Sequence, residues 1–320
     1  MASAKRCHGY PTDASCLPLV NALSDWATYI VYSAFWKLLR LLPEKSAYKF
    51  FYSLAARAYK RNGKRVRRLR SNYEAVAVGK TKDEIEELVQ AGLRSSMRYW
   101  CDTFRIADWS VERYSKTVTT ENLHLVTEGA SSGRGVIVAL PHAGNWDHGG
   151  LYICSLGVKV HTVAEHLKPE RLFQKFLAHR EGMGMKVLDL DKSVIDQLES
   201  FLNQGSLVAL VADRDLSRSG IDVNFFNRKA RMPAGPALLA LRTKADLITA
   251  YVSFTENGIN IKFKGPYEVN RNNDVKREVE LITQRLADAF AEDISQDPSS
   301  WHMQQRIFID DADFKERVSS

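Results

Sequence analysis

The hydrophobic pattern changes period along the chain. From residue 19 to 42 apolar side chains dominate, and Asp25 and Lys37 bracket a run over 26–36 that holds Trp26, Tyr29, Tyr32, Phe35 and Trp36. The run is too short to cross the hydrocarbon of a bilayer, and Pro43 stops the helix it predicts. Two readings stay open for it: a buried helix, or a helix lying in a membrane interface, where aromatic side chains are favoured. Thr81-Lys82-Asp83-Glu84 has the spacing of a capping box. Ile85, Leu88, Val89, Leu93, Met97, Trp100 and Phe104 then recur at helical intervals, as a core stripe does. After a polar segment over 1–18, expected to be disordered, the first hundred residues read as mostly helical.

Beyond residue 121 short apolar runs alternate with amphipathic ones. The pattern predicts strands over 135–140, 158–165, 185–190 and 207–213, and helices over 169–181, 193–203 and 233–244. Such alternation implies a largely parallel sheet. Segments 251–255 and 259–264 flank Glu256-Asn257-Gly258 and read as an antiparallel hairpin with Asn-Gly at its turn. A last amphipathic helix is predicted over 275–294. With no repeat and no low-complexity linker, the expectation is an α/β fold: a mostly parallel central sheet flanked by helices. A helical cap over 19–110 is expected to be continuous with a core over 111–320.

Charge adds a partner class. Among 320 residues, 45 Lys and Arg against 38 Asp and Glu give a net charge of +7, which favours nucleic acid, a phosphorylated substrate or an acidic membrane surface. Lys60, Arg61, Lys64, Arg65, Arg67, Arg68 and Arg70 form a basic run. It is either a solvated helix face or, beside an aromatic amphipathic neighbour, a surface for anionic headgroups. No nucleic-acid motif accompanies it, so no nucleic-acid partner is expected. Cys7, Cys16, Cys101 and Cys154 are scattered without a C-x-x-C pair and read as free thiols. The N-terminus lacks a signal-peptide pattern, so the expectation is an intracellular protein.

The densest chemistry lies at 135–147. Val136 to Leu140 reads as a strand buried on both faces, Pro141 takes the chain out of the sheet, and His142 follows, with Asp147 five positions on. Open α/β sheets place their chemistry at the carboxyl ends of strands. A histidine there, tuned by a carboxylate, can act as a general base. Spacing alone is weak, because about one His-x4-acid match is expected by chance at this composition. His8 and Asp13 supply a decoy in a polar segment. A catalytic dyad and a structural loop histidine are thus both open. Gly129-Ala130-Ser131-Ser132-Gly133 spells G-x-S-x-G, but a strand follows the serine where that motif needs one before it, so it reads as a surface turn. His142, His148, His161 and His166 match no metal-ligand spacing, and no metal is expected. A second dense stretch, 212–237, starts at a strand end with Asp213 and carries Arg214, Arg218, Arg228, Lys229 and Arg231 before Met-Pro-Ala-Gly-Pro-Ala opens a helix. It reads as an anion site or as a basic loop with a satisfied Asp–Arg pair.

Taken in order, Pro-His142-x-Gly-Asn-Trp-Asp147, Asp213-Arg214-Asp215, Phe225-Phe226-Asn227-Arg228, Met232-Pro-Ala-Gly-Pro-Ala and Trp301-His302-Met303 resemble the lipid A biosynthesis-type acyltransferases over nearly the whole chain. Ala-Glu165-x-Leu-Lys168-Pro-Glu170 and Tyr99-Trp100 look closest to the phosphatidylinositol mannoside acyltransferases. Asn227 stands where the family often has Gly, and Asp213 where that subgroup often has Glu.

The resemblance implies transfer of a palmitoyl-like chain from acyl-CoA, a co-substrate with no resident cofactor, to a mannose hydroxyl of a mannosylated phosphatidylinositol. It places the protein peripherally on the cytoplasmic face of the inner membrane, at an anionic surface. It assigns His142 as base and Asp147 as its orienting acid. Glu165 and Asp213 would bind acceptor hydroxyls, Arg180 would contact phosphate or support Glu165, and Arg228 and Arg231 would take donor phosphates. The alternatives are a lipid A-type enzyme using acyl-carrier protein, and a non-catalytic protein that binds lipid or nucleic acid.

Overall fold

The computed structural model describes residues 16–164, 169–191, 193–215 and 220–309, with side chains from residue 25 onward. Four helices come first: α1 (Cys16–Leu41), α2 (Glu44–Arg61), α3 (Lys64–Val76) and α4 (Lys82–Arg105). The start of α1 falls inside the segment expected to be disordered; residues 1–15 of that segment lie outside the described residues. Pro43 separates α1 from α2 and serves as the N-cap of α2. The capping box forms at α4: Thr81 Oγ1 accepts the Glu84 N–H at 3.3 Å, and Glu84 Oε2 accepts the Thr81 N–H at 2.8 Å. Of the stripe that follows, Ile85, Val89, Leu93 and Phe104 are buried.

The chain continues through α5 (Val111–Thr117), β1 (Val118–Glu121), α6 (His124–Ser131), β2 (Val136–Leu140), α7 (Trp146–Ser155), β3 (Val160–Ala164), α8 (Glu170–Gly182), β4 (Lys186–Asp189), α9 (Val194–Leu202) and β5 (Leu207–Val211). It ends with β6 (Ile221–Phe225), β7 (Arg228–Met232), α10 (Gly235–Arg242), β8 (Asp246–Phe254), β9 (Ile259–Lys264) and α11 (Val275–Gln296). Seven strands form one sheet in the order β1-β9-β8-β2-β5-β3-β4. All its pairs are parallel except β8–β9, which is the expected hairpin. The fold is α/β, with helices on the sheet and at the N-terminus. All five residues of β2 are buried, as a central strand covered on both faces requires.

Four strands escaped the sequence pattern in whole or part. β8 starts at Asp246, earlier than expected, because its first half pairs with β2 while its second half pairs with β9. β1 is Val-Thr-Thr-Glu, with Val118 its one apolar residue, and becomes a strand where β9 offers it an edge. The stretch read as a basic loop contains the two-stranded β6–β7 hairpin. Phe226 and Asn227 turn it, at φ 52° and 58°. A two-residue turn with both φ positive favours Gly or Asn, which accounts for Asn227. Residues 129–133, read as a surface turn, are the end of α6 and the loop leading to β2.

The helical N-terminal region and the sheet share a core, in which Val66, Leu69 and Tyr73 of α3 join Ile137, Val208 and Leu247 of the sheet. Helix α1 is buried along one face and open along another. Trp36 and Leu39 are buried against Phe51 and Phe104, while Trp26 (51% exposed), Val31 (69%), Leu38 and Leu41 (74%) stay open. Among the described residues no helix is long and apolar enough to cross a membrane.

Candidate active site

The site grows from two neighbouring strand ends. β2 and β5 run parallel with Leu140 opposite Val211, and the Ala212 N–H donates to the Leu140 carbonyl at 2.8 Å as the ladder ends. Two residues further on, that register sets His142 beside Asp213. His142 Nδ1 lies 2.5 Å from Asp213 Oδ1, and the His142 backbone N–H donates to Oδ2 at 3.0 Å. The Trp301 indole Nε1–H donates to the same Oδ2 at 2.9 Å. Burial pushes the Asp213 carboxyl up, but the charge and N–H groups of His142 and the Trp301 indole outweigh it, so the net direction is down. An ionised Asp213 accepting from Nδ1–H fixes the tautomer in which Nε2 carries the lone pair. The His142 side chain is 28% exposed, and Nε2 makes no hydrogen bond among the described residues.

Asp147 turns elsewhere. Asn145 caps α7, its Oδ1 accepting the His148 N–H at 3.0 Å. The first helical turn then aims Asp147 at α4 and α8 rather than back at His142. Tyr99 Oη–H donates to Asp147 Oδ2 at 3.0 Å, and Arg180 Nε–H and an Nη2–H donate to its two oxygens at 2.8 and 3.3 Å. The expected Asp147–His142 contact is therefore not made. Arg180 is driven well above the usual guanidinium value, first by the Asp147 charge.

A segment near the C-terminus clamps both halves. Gly144 has φ 59°, and a Cβ there would lie 2.4 Å from the Val252 carbonyl oxygen, so the turn after His142 needs glycine. The Gly144 N–H donates to Ser300 O at 2.9 Å, and His302 Nε2–H donates to Gly144 O at 3.1 Å. Burial lowers His302 to about 4, so it is neutral. Asn72 Nδ2 holds the carbonyls of Met303 and Gln305, and Tyr73 Oη–H donates to Trp301 O, which ties the segment to α3. Trp146 stacks on Tyr99 with centroids 4.4 Å apart and presents itself at 85° to the His142 ring, 5.7 Å away.

Where the structure describes them, the other expected site residues have partners different from those expected. Asp213 is fully buried and fully bonded, so its carboxylate does not face an acceptor hydroxyl. Arg180 is committed to Asp147, and Glu165 and His166 lie outside the described residues. Arg228 and Arg231 belong to the β6–β7 hairpin, where Arg231 Nε donates to Asp222 Oδ1 at 2.7 Å and the Arg228 guanidinium sits 4.2 Å over Phe308. His148 packs on Trp109 and is lowered by burial to about 4, and His161 stacks on Phe201 at 3.9 Å. Among the described residues no three His, Cys, Asp or Glu side chains group to hold a metal. Trp301 and His302 had no assigned role in the sequence, and Asp213 had the wrong one. The available signal was that Asp213, like His142, ends a buried strand.

Residues 15–309 match the family model described as bacterial lipid A biosynthesis acyltransferase. The chain belongs to this family. The phosphatidylinositol mannoside acyltransferase of Mycolicibacterium smegmatis is 35% identical over 305 residues, covering 94% of this chain and 97% of that protein. The protein of the same name from Mycobacterium tuberculosis is 33% identical over 298 residues, covering 92% of this chain and 91% of its own. The resemblance read from the motifs is thus borne out, and the chain is an acyltransferase of this family.

Proposed function

We propose that this acyltransferase moves a fatty acyl chain, palmitoyl-like in length, from acyl-CoA to a mannose hydroxyl of a phosphatidylinositol mannoside. The names of its relatives support the acceptor. The observation that carries the chemistry is the His142 ring, held at Nδ1 by a buried carboxylate and open at Nε2. As the acceptor hydroxyl oxygen attacks the thioester carbon, Nε2 takes its proton, and Asp213 balances the imidazolium charge. Collapse of the tetrahedral intermediate breaks the C–S bond, and the thiolate leaves with the proton from Nε2–H. Direct transfer suits the site: burial pushes the Cys101 and Cys154 thiols up to about 12 and about 11, and neither is bonded to His142. Asp147 fixes Tyr99 and Arg180 beside the base, and Trp301 steadies Asp213.

Both substrates are lipids, and we place the protein peripherally at the cytoplasmic face of the inner membrane. The open apolar side chains of α1 support this reading, as do the exposed Lys60, Arg61, Lys64, Arg65 and Arg67 of α2 and α3. Because the inner face of α1 is core, the test is substitution of Trp26, Val31 and Leu38 by Ser, not removal of the helix. Weaker liposome binding with intact folding is expected, and unchanged binding would sink the reading.

The activity test uses radiolabelled palmitoyl-CoA with a mannosylated phosphatidylinositol, a lipid A precursor or water. Acylated mannolipid alone, lost in His142→Gln, is the expected result. Product only with the lipid A precursor would overturn the acceptor, free fatty acid alone would make the protein a thioesterase, and no turnover would overturn the donor.

A further inference from the structure

A groove of about 780 Å³ runs between α1 and α8, away from the His142–Asp213 pair. Its α1 wall is a single face: Ser33, Trp36, Lys37, Arg40 and Leu41 recur three and four residues apart. Its α8 wall presents Lys175 and His179, again one turn apart. The charges on these walls are unequal. Arg40 is doubly bonded to Asp108 and so neutralised. Lys175 Nζ donates to Ser33 Oγ at 2.9 Å and lies 5.3 and 5.5 Å from the ring centroids of Trp36 and Tyr29. Lys37 follows Ser33 by one helical turn and is exposed. Neither lysine has a carboxylate partner among the described residues. Two ammonium groups therefore face one groove from opposite walls, and the carboxylate that also lines it, Asp108, is taken up by Arg40.

The floor is of a different kind. Trp36 is buried, with its indole N–H spent on Phe104 O. Its ring meets His179 edge-on at 4.9 Å. Burial lowers His179, which stays neutral, and its Nε2 is buried without a partner. Exposed Leu41 supplies an apolar rim. Cations at the walls, an aromatic floor and an apolar rim suit an anion that carries hydrocarbon.

We propose that the α1–α8 groove binds the phosphodiester headgroup of an anionic phospholipid, Lys37 and Lys175 holding the phosphate oxygens and the acyl chains leaving past Leu41. The inference rests on the membrane reading of α1 and sharpens it from a diffuse attraction to a site. His179 immediately precedes Arg180, the partner of Asp147, so a lipid held here would also orient the catalytic end of α8 toward the bilayer.

The test measures cosedimentation of the full chain with phosphatidylcholine vesicles, with and without phosphatidylglycerol, in the absence of any acyl donor or mannolipid. Lys37→Gln/Lys175→Gln is compared with Lys60→Gln/Arg65→Gln, which removes the same charge from the basic run. Thermal melts confirm that both fold. The control pair is expected to lose about tenfold in affinity for anionic vesicles, as diffuse attraction predicts, and the groove pair at least about tenfold more. Equal losses would overturn the site and leave the membrane reading standing; failure of the unsubstituted chain to bind would overturn both. Amine acetylation gives a second measurement that needs no variant. Anionic vesicles should protect Lys37 and Lys175 more strongly than Lys60, and equal protection by inorganic phosphate alone would make the ligand free phosphate, not lipid.

Discussion

Two aspartates flank the same turn, and their fates differ. Asp147 is joined to Arg180, a permanent cation, and to Tyr99, all three withdrawn from solvent or nearly so. Asp213 is joined to His142, whose charge can change and whose other nitrogen is open. Both carboxylates are buried and accept several N–H or O–H bonds, so burial and bond number do not distinguish them. The partner does. Asp147–Arg180 is a fixed strut, because no accessible pH removes its charge. Asp213–His142 is a proton-handling pair, because the imidazole can take a proton at its open Nε2 while Asp213 balances the charge.

The hardest test of this contrast is His142→Gln. It should lower kcat/KM for acyl transfer by roughly 10²–10⁴-fold while the melting temperature holds, as loss of a general base does. Activity within about tenfold of the parent protein would remove His142 from proton transfer. Asp147→Asn should fail in the other way. It leaves the Arg180 side chain, 21% exposed, without its carboxylate, at a cost of up to about 3 kcal/mol in urea unfolding. A stable Asp147→Asn protein with lost activity would make the strut part of the chemistry.

A third buried aspartate sharpens the point. Asp102 has Tyr48 as its hydrogen-bond donor and Arg98 only at 3.8 Å, and burial pushes its carboxyl up to about 6. The folded state thus keeps a proton that the unfolded chain has released. Its contribution to stability is present below the ordinary carboxylate range and is lost as pH rises from about 4 to about 6, on the order of 3 kcal/mol. Asp102→Asn should abolish that loss, seen as a smaller drop in urea midpoint across this window than the parent shows. The buried His302, lowered to about 4, acts with opposite sign, since its neutral form is favoured and stability falls as pH drops from its ordinary value toward about 4.

The smallest expected effect is at Trp301. Trp301→Phe keeps an aromatic ring, though a smaller one, and removes one donor from Asp213, a change worth about 1.5–3 kcal/mol for a bond to a charged group. Asp213 must be ionised to balance His142, and losing a donor raises its carboxyl, so the acid limb of the kcat/KM profile should move to higher pH. A reduced rate with an unmoved limb would mean that Trp301 only packs.

Much of this architecture was legible. The all-apolar Val136–Leu140 run could only be a central strand, Pro141 had to end it, and His142 therefore had to stand at a carboxyl end. Thr81 and Glu84 marked the start of α4 through a local exchange of bonds. What misled was nearness in sequence. Asp147 is five residues from His142, but a helix begins between them, and the first turn of α7 carries the carboxylate toward α4 and α8. The Val-Thr-Thr-Glu of β1 has β-branched side chains but is too short to show an apolar alternation, and its pairing comes from β9, which lies far along the chain.

The sequence by itself determined the elements, their apolar faces and the residue types that end each buried strand, because those follow from local periodicity and backbone stereochemistry. Only the tertiary structure decided which acid serves which base. Asp213 reaches His142 because β5 happens to pair with β2 in parallel, Leu140 against Val211, and Trp301 reaches Asp213 from a segment 88 residues later. Strand order and register arise from the sum of side-chain packing on both faces of the sheet, and no short stretch of sequence contains that sum.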